Sequence, residues 1–130
     1  VGLKVKFYNS GRIRYISNWK CKYKPKANNV MIVKLRKKGE LLGSCYISNS
    51  YIWGLVVNPK YRNHGYGGII LNAVEKEAKK LGYKKLFLIP QDNEPKLRRY
   101  YSKFGYTGHD VNEPGYEEED KSWWVMEKDI

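Results

Sequence analysis

The 130-residue chain is predicted to be an α+β (α/β-like) protein built on a mixed, largely antiparallel central sheet with helices on both faces. Three observations carry that prediction. Apolar and polar residues alternate over 31–36, and two more stretches rich in apolar residues, 41–48 and 51–57, follow through turns too short for anything but antiparallel neighbours. A segment with helical periodicity (67–81) then separates the strand at 51–57 from a short apolar strand at 84–89, a spacing that makes those two strands parallel. A second helical segment and two more strands close the chain.

Taken in order, Leu3, Val5 and Phe7 alternate with Lys4, Lys6 and Tyr8, and 12–16 alternates again after Ser10-Gly11, which reads as a strand or a hairpin. Residues 17–29 show no clean period and read as loop. Met31, Val33 and Leu35 alternate with Ile32, Lys34 and Arg36, and Lys37-Lys38-Gly39-Glu40 turns the chain into 41–48. Asn49-Ser50 turns it again into Tyr51–Val57, where Gly54 inside a strand predicts a bulge or a close backbone approach. From Gly67 to Leu81, the residues Ile70, Val74, Ala78 and Leu81, with Leu71 and Ala73 beside them, share a face opposite Glu75, Lys76, Lys79 and Lys80, and Gly82 ends the helix. After Pro90, Asn93 is the expected N-cap with Pro95 in the first turn, and Leu97, Tyr100, Tyr101 and Phe104 fall at i, i+3, i+4 and i+7 before Gly105. Residues 106–111 and 122–128 are the last two strands.

Composition bounds the function. The net charge is +12, yet it is uneven: 23 Lys/Arg against 5 Asp/Glu up to residue 109, then six acids and no base over 110–120. A basic body suits nucleic acid, an anionic surface or a polyanionic cofactor. No stretch is long and apolar enough to span a membrane. Cys21 and Cys45 lack metal-ligand spacing and read as free thiols of an intracellular, cytoplasmic protein; no metal site is predicted.

The most informative stretch is Val56-Val57-Asn58-Pro59-Lys60-Tyr61-Arg62-Asn63-His64-Gly65-Tyr66-Gly67-Gly68-Ile69. A strand ends at a Pro, passes through a basic, Gly-rich turn and opens into a helix, whose first turn offers unpaired N–H groups and a positive dipole end. Such a turn favours phosphate or pyrophosphate. It lacks the last Gly of a dinucleotide fingerprint and the Lys-Ser/Thr of a P-loop. Arg62, Gly65 and Gly67 form Arg-x-x-Gly-x-Gly instead. With the lead-in Val57-x-Pro59-x-Tyr61-Arg62, this resembles the coenzyme A loop of the GNAT (general N-acetyltransferase) superfamily. The resemblance covers residues 30–130 and includes 99–106, Arg-Tyr-Tyr-Ser-Lys-Phe-Gly-Tyr. Residues 1–29 form an atypical, shortened N-terminal part of what reads as one domain over 1–130.

The resemblance implies an acetyl-CoA-dependent N-acetyltransferase. It implies that the strand ending at Val57 splays from the one ending at Ile89, that Leu55, Val56 and Val57 pair with the pantetheine arm, and that Arg62, Asn63, His64, Gly65, Tyr66, Gly67 and Gly68 carry the pyrophosphate. Asn93 and Tyr101 complete the expected cofactor contacts. It also implies a Tyr acting as general acid toward the leaving thiolate. Counting back from Gly105 selects Tyr101, and counting forward from Asn93 selects Tyr100; Tyr101 is preferred, with Tyr100 the alternative. The position where several members place a basic Glu is Tyr51. Candidates for the base are therefore Asp92, Glu94, the acidic loop, a water chain, or His64 and His109. Tyr51, Glu118 and Trp123 are candidates for the acceptor site.

The expected acceptor is a primary amine of a small amine, polyamine, peptide or protein, attacked directly in a ternary complex; a homodimer is allowed. The alternatives are a coenzyme A-binding module with reduced catalysis, and a basic nucleic-acid-binding domain. Nucleic acid is disfavoured because no single element interleaves bases with aromatics in a stripe.

Overall fold

The structure, a computed structural model, describes residues 2–10, 30–48, 50–90, 95–111 and 123–130. The hairpin partner at 12–16, the loop 17–29 with Cys21, the residues Asp92, Asn93 and Glu94, and the acidic loop 112–120 with Glu118 lie outside them. Of Trp123 only the backbone is described.

The strands are β1 (Leu3–Ser10), β2 (Val30–Lys37), β3 (Glu40–Ser48), β4 (Tyr51–Val57), β5 (Lys85–Leu88), β6 (Thr107–Val111) and β7 (Trp123–Asp129). Helix α1 (Tyr66–Lys80) lies between β4 and β5, and α2 (Pro95–Ser102) between β5 and β6. They form one seven-stranded sheet in the order β1-β2-β3-β4-β5-β7-β6. The first four strands are successively antiparallel, β4 and β5 are parallel, and β7 runs antiparallel to both β5 and β6. Inserting β7 between β5 and β6 is a long-range choice that no local pattern announces.

The core lies between one sheet face and the helices. Val33, Leu35, Cys45, Ile47, Ile52, Leu86, Leu88 and Met126 from the strands meet Ile70, Leu71, Val74 and Ala78 of α1, with Tyr100, Tyr101 and Phe104 of α2 packed against them. Both described helices thus contribute to the same core, and each fully buried Leu or Ile contributes roughly 1.5–3 kcal/mol. The other face carries a smaller cluster of Ile32, Tyr46 and Trp53 with Tyr51 against it, the Tyr46 and Trp53 rings stacked 4.2 Å apart. Gly82 stops α1, its N–H bonding the Lys79 carbonyl while that of Tyr83 bonds Ala78. Two positions of α1 depart from the periodic expectation: Leu81, at the C-cap where the helix ends, is 52% exposed, and Glu75, expected to point away, accepts from Lys128 Nζ at 3.0 Å and from the Tyr106 hydroxyl at 3.2 Å, which pins the helix to β7. Cys45 is buried and unbridged, and burial pushes its thiol pKa up.

Candidate coenzyme cleft and anion loop

Two departures from regular sheet geometry open the site. β4 and β5 pair only at Tyr51–Phe87 and Ile52–Leu88, although β4 runs on to Val57. Beyond Ile52 the two strands share no further pairing, so Gly54, Leu55, Val56 and Val57 line an opening on that side. Across the other edge, Ser44 pairs with Val56 and Tyr46 with Trp53, so Gly54 and Leu55 together oppose the single residue Cys45. This is the bulge expected from Gly54, whose φ of +62° is a left-handed conformation that a side chain would strain. A bulge turns a backbone group out of the ladder, and here it does so inside the opening.

The loop from Asn58 to Gly65 is held from below. Asn58 donates its backbone N–H to Leu42 (2.7 Å) and its side-chain amide to Leu41 (3.1 Å), the β3 carbonyls beside a second irregularity. Its Oδ1 caps the short 3-10 turn Pro59–Tyr61 by accepting from Lys60 N–H. The Tyr61 hydroxyl donates to Glu40 Oε2 at 2.5 Å, a bond that holds its pKa above the usual value. His64 Nδ1 lies 3.0 Å and 2.9 Å from the Tyr61 and Arg62 carbonyls. Both partners are acceptors, so Nδ1 carries the hydrogen. The imidazole also stacks on Tyr66 at 5.7 Å. His64 therefore staples the loop, leaving only Nε2 toward solvent.

The backbone turns left-handed at Asn63 (φ +67°) and Gly65 (φ +79°) before entering α1. Gly65 is the N-cap and no side chain caps this end. Within the helix the first bond runs from Ile69 N–H to the Gly65 carbonyl, so the N–H groups of Tyr66, Gly67 and Gly68 keep their donors for a ligand. No acid stands in the first turn, and Arg62 is exposed beside it. This combination of uncapped donors, dipole and cation fits a pyrophosphate.

α2 approaches the same place. A Cβ on Gly67 would overlap the Tyr100 hydroxyl, and one on Gly68 would sit 2.8 Å from Phe104 Cε1. The glycines expected to admit a ligand thus have another role: they let α2 close on the first turn of α1. Tyr100 is half-buried with its hydroxyl over Gly67, and burial raises its pKa. Tyr101 turns inward, edge-on to Tyr100 (5.3 Å) and Tyr106 (6.3 Å). Burial raises its pKa most, followed by Tyr100 and then Cys45, the residue opposite the bulge. The Tyr101 phenol is therefore a buried, protonated donor between Tyr100 and Tyr106, whereas the Tyr100 hydroxyl lies over Gly67.

The remaining candidates separate. Tyr51 sits at the last paired stretch of β4, packed with Ile32, Tyr46 and Trp53 on the face away from the main core. Beside it Trp53 buries its indole N–H without a hydrogen-bond partner among the described residues. His109 is exposed on β6 and opposite Val125. Two strands, β5 and β7, lie between β4 and β6, which puts β6 three spacings, about 14 Å, from β4, so His109 does not reach the bulge. Sequence reasoning missed Asn58, whose Asn-Pro turn signal was available, and Cys45, whose place opposite the bulge was not. Among the described residues no group of His, Cys, Asp and Glu could hold a metal ion, and no helix is long and apolar enough to cross a membrane.

The family model described as Acetyltransferase (GNAT) family matches residues 5–106. Solved structures share the fold. A GNAT family acetyltransferase from Elizabethkingia anophelis with acetyl-CoA bound superposes with a TM-score of 0.74 at 16% identity, covering 99% of both chains. The PaiA N-acetyltransferase from Thermoplasma acidophilum in complex with coenzyme A gives 0.61 at 24% identity, over 78% of this chain and only 61% of that one. The ribosomal-protein-S18-alanine N-acetyltransferase from Escherichia coli gives 0.59 at 17% identity, over 75% and 66%. No curated protein sequence gives a match.

Proposed function

Because this chain belongs to the acetyltransferase (GNAT) family, we propose that it transfers acetyl from acetyl-CoA to a primary amine by direct attack in a ternary complex. The observation that carries the reading is the convergence of an uncapped helix N-terminus and an unpaired, bulged strand edge on one opening. Acetyl-CoA, when bound, supplies an activated acyl group on a thiolate leaving group.

The residues that would hold it are those with unused donors. Tyr66, Gly67 and Gly68 N–H groups, with Arg62, Asn63, His64 and Gly65 around them, take the pyrophosphate. The β4 edge at Leu55, Val56 and Val57 pairs with amide groups as a sheet edge does. A backbone N–H at the Gly54–Leu55 bulge would be the donor to the acyl oxygen; such a donor lowers a barrier by about 2.7–4 kcal/mol. Tyr101, kept protonated by burial, would supply the proton that the thiolate leaving group needs. At Tyr51 β4 offers no carboxylate, and an alkylammonium of pKa ~10.4 is only roughly 0.1% neutral at physiological pH. Removal of the ammonium proton therefore needs assistance, for which a water chain, Asp92, Glu94 and the acidic loop are the candidates.

Calorimetric titration with acetyl-CoA, desulfo-CoA and ATP, followed by an amine panel with thiol detection, tests this. Binding of both coenzyme A forms but not ATP, with thiol release on one amine class, is the expected result. Binding without turnover on any amine would favour a coenzyme A-binding module of reduced catalysis, which the missing strand carboxylate supports.

A further inference from the structure

The outer face of β1 and β2 gathers cations that are dispersed in the sequence. Leu3, Val5 and Phe7 of β1 pack toward the main core, so Lys4, Lys6 and Tyr8 stand on the other face, all three exposed. In the antiparallel register Lys4 lies opposite Arg36, Lys6 opposite Lys34, and Tyr8 opposite Ile32. Opposed residues hold their Cβ atoms about 5 Å apart, where like charges repel. Two such like-charged pairs stand in consecutive rows, about 6.7 Å apart along the strands. Among the described residues none of the four meets a carboxylate: Arg36 Nη1 donates to the Gly39 carbonyl, and Lys34 Nζ lies 4.9 Å from the Tyr8 ring centroid. The third row presents Tyr8 itself, 40% exposed.

We propose that this face binds single-stranded nucleic acid, the Lys4–Arg36 and Lys6–Lys34 rows tracking successive phosphates and Tyr8 stacking a base. Uncompensated like-charge pairs leave the patch waiting for a polyanion. A sheet face with an exposed ring suits unpaired bases, as sheet platforms in RNA-binding modules do, and neither described helix belongs to this face to enter a duplex groove. An anionic bilayer would meet the cations equally well, yet it has no base for Tyr8 to stack. The stripe of bases and aromatic that no single element contains is thus assembled by the pairing of two strands. The patch involves none of the residues assigned to the coenzyme, but its Arg36 pairs with Leu41, whose carbonyl holds Asn58 of the loop, so binding is measured with and without excess coenzyme A to keep the two readings apart.

The test is fluorescence anisotropy of a labelled, mixed-sequence single-stranded RNA of about 12 nucleotides, with and without excess coenzyme A, across a salt series. Four neutralised phosphates predict a slope of about −2.8 in log K against log salt, or about a 50-fold loss between 50 and 200 mM. Lys4→Ser with Lys6→Ser should halve the slope, to about a sevenfold loss. Tyr8→Ser should weaken binding at least about fivefold and leave the slope unchanged. Lys79→Ser with Lys80→Ser, an equal charge change on α1, should leave the slope at the wild-type value. The proposal is overturned if the two lysine doubles behave alike, if Tyr8→Ser binds as wild type, or if phosphatidylserine vesicles are captured while the RNA is not. Coenzyme titration of each variant reports separately on the cleft.

Discussion

Replacing Gly67 by Ala should destabilise the protein only while Tyr100 keeps its hydroxyl. In a helix Ala is favoured over Gly by about 0.8–1 kcal/mol. Against that, the new Cβ overlaps the Tyr100 hydroxyl, whereas its next neighbours, Tyr100 Cζ at 3.4 Å and Val57 Cγ2 at 3.6 Å, are in ordinary contact. Overpacking of this kind costs about 1–3 kcal/mol, so Gly67→Ala alone should lose up to about 2 kcal/mol. In a Tyr100→Phe background the clash is gone and the same substitution should gain up to about 1 kcal/mol. Urea denaturation of the four proteins gives the cycle, with a coupling of about 1–3 kcal/mol expected, or some 3–9 °C in Tm at this chain length. Because the Cβ points at α2 and not into the opening, the double variant should retain coenzyme A affinity. A coupling below about 0.5 kcal/mol, or a stable double variant that no longer binds coenzyme A, would refute the assignment of Gly67 to helix packing.

Tyr101→Phe should lower kcat by about 10²–10⁴-fold at a nearly unchanged coenzyme Kd; if Tyr100→Phe does this and Tyr101→Phe does not, the general acid is Tyr100. Since burial raises the Tyr101 pKa above 10.0, kcat/KM for an alkylamine should climb with pH up to about 9 with no falling limb from this phenol, and a limb below pH 9 in a pH-rate profile would contradict it. Cys45, Tyr101 and Tyr106 all have folded pKa values raised above their ordinary 9.0 and 10.0. The folded state therefore binds more protons at alkaline pH, and stability, complete below about 9, should fall as pH rises through the ordinary values and beyond; Tyr106→Phe should flatten the fall of Tm above pH 10. Lys128→Met leaves Glu75, whose side chain is 14% exposed, with an unpaired charge, and should cost about 1–3 kcal/mol in urea denaturation, largely restored by adding Glu75→Gln.

Much of the fold could be read locally because its signals are local. Alternation set β1 and β2, apolar stretches between short turns set β3 and β4, the 3.6-residue period set both helices, and Gly82 marked where α1 stops. The bulge at Gly54 was legible because a glycine inside a strand has few other reasons to be there. The anion loop was legible because left-handed residues and an uncapped helix start are dictated by residue type at close spacing.

What escaped depends on which distant segments meet. The place of β7 between β5 and β6 is decided by long-range pairing, and it moves His109 away from the bulge. Tyr100 and Tyr101 are adjacent on one helix and equal in chemistry; only packing turns the first onto Gly67 and the second inward against Tyr106. Likewise the four cations of β1 and β2 become a patch only through their register, since side chains some thirty residues apart acquire a common face when their strands pair. Sequence determined the parts whose physics is complete within a few bonds along the chain. Tertiary structure decided every relation that depends on two parts being brought together.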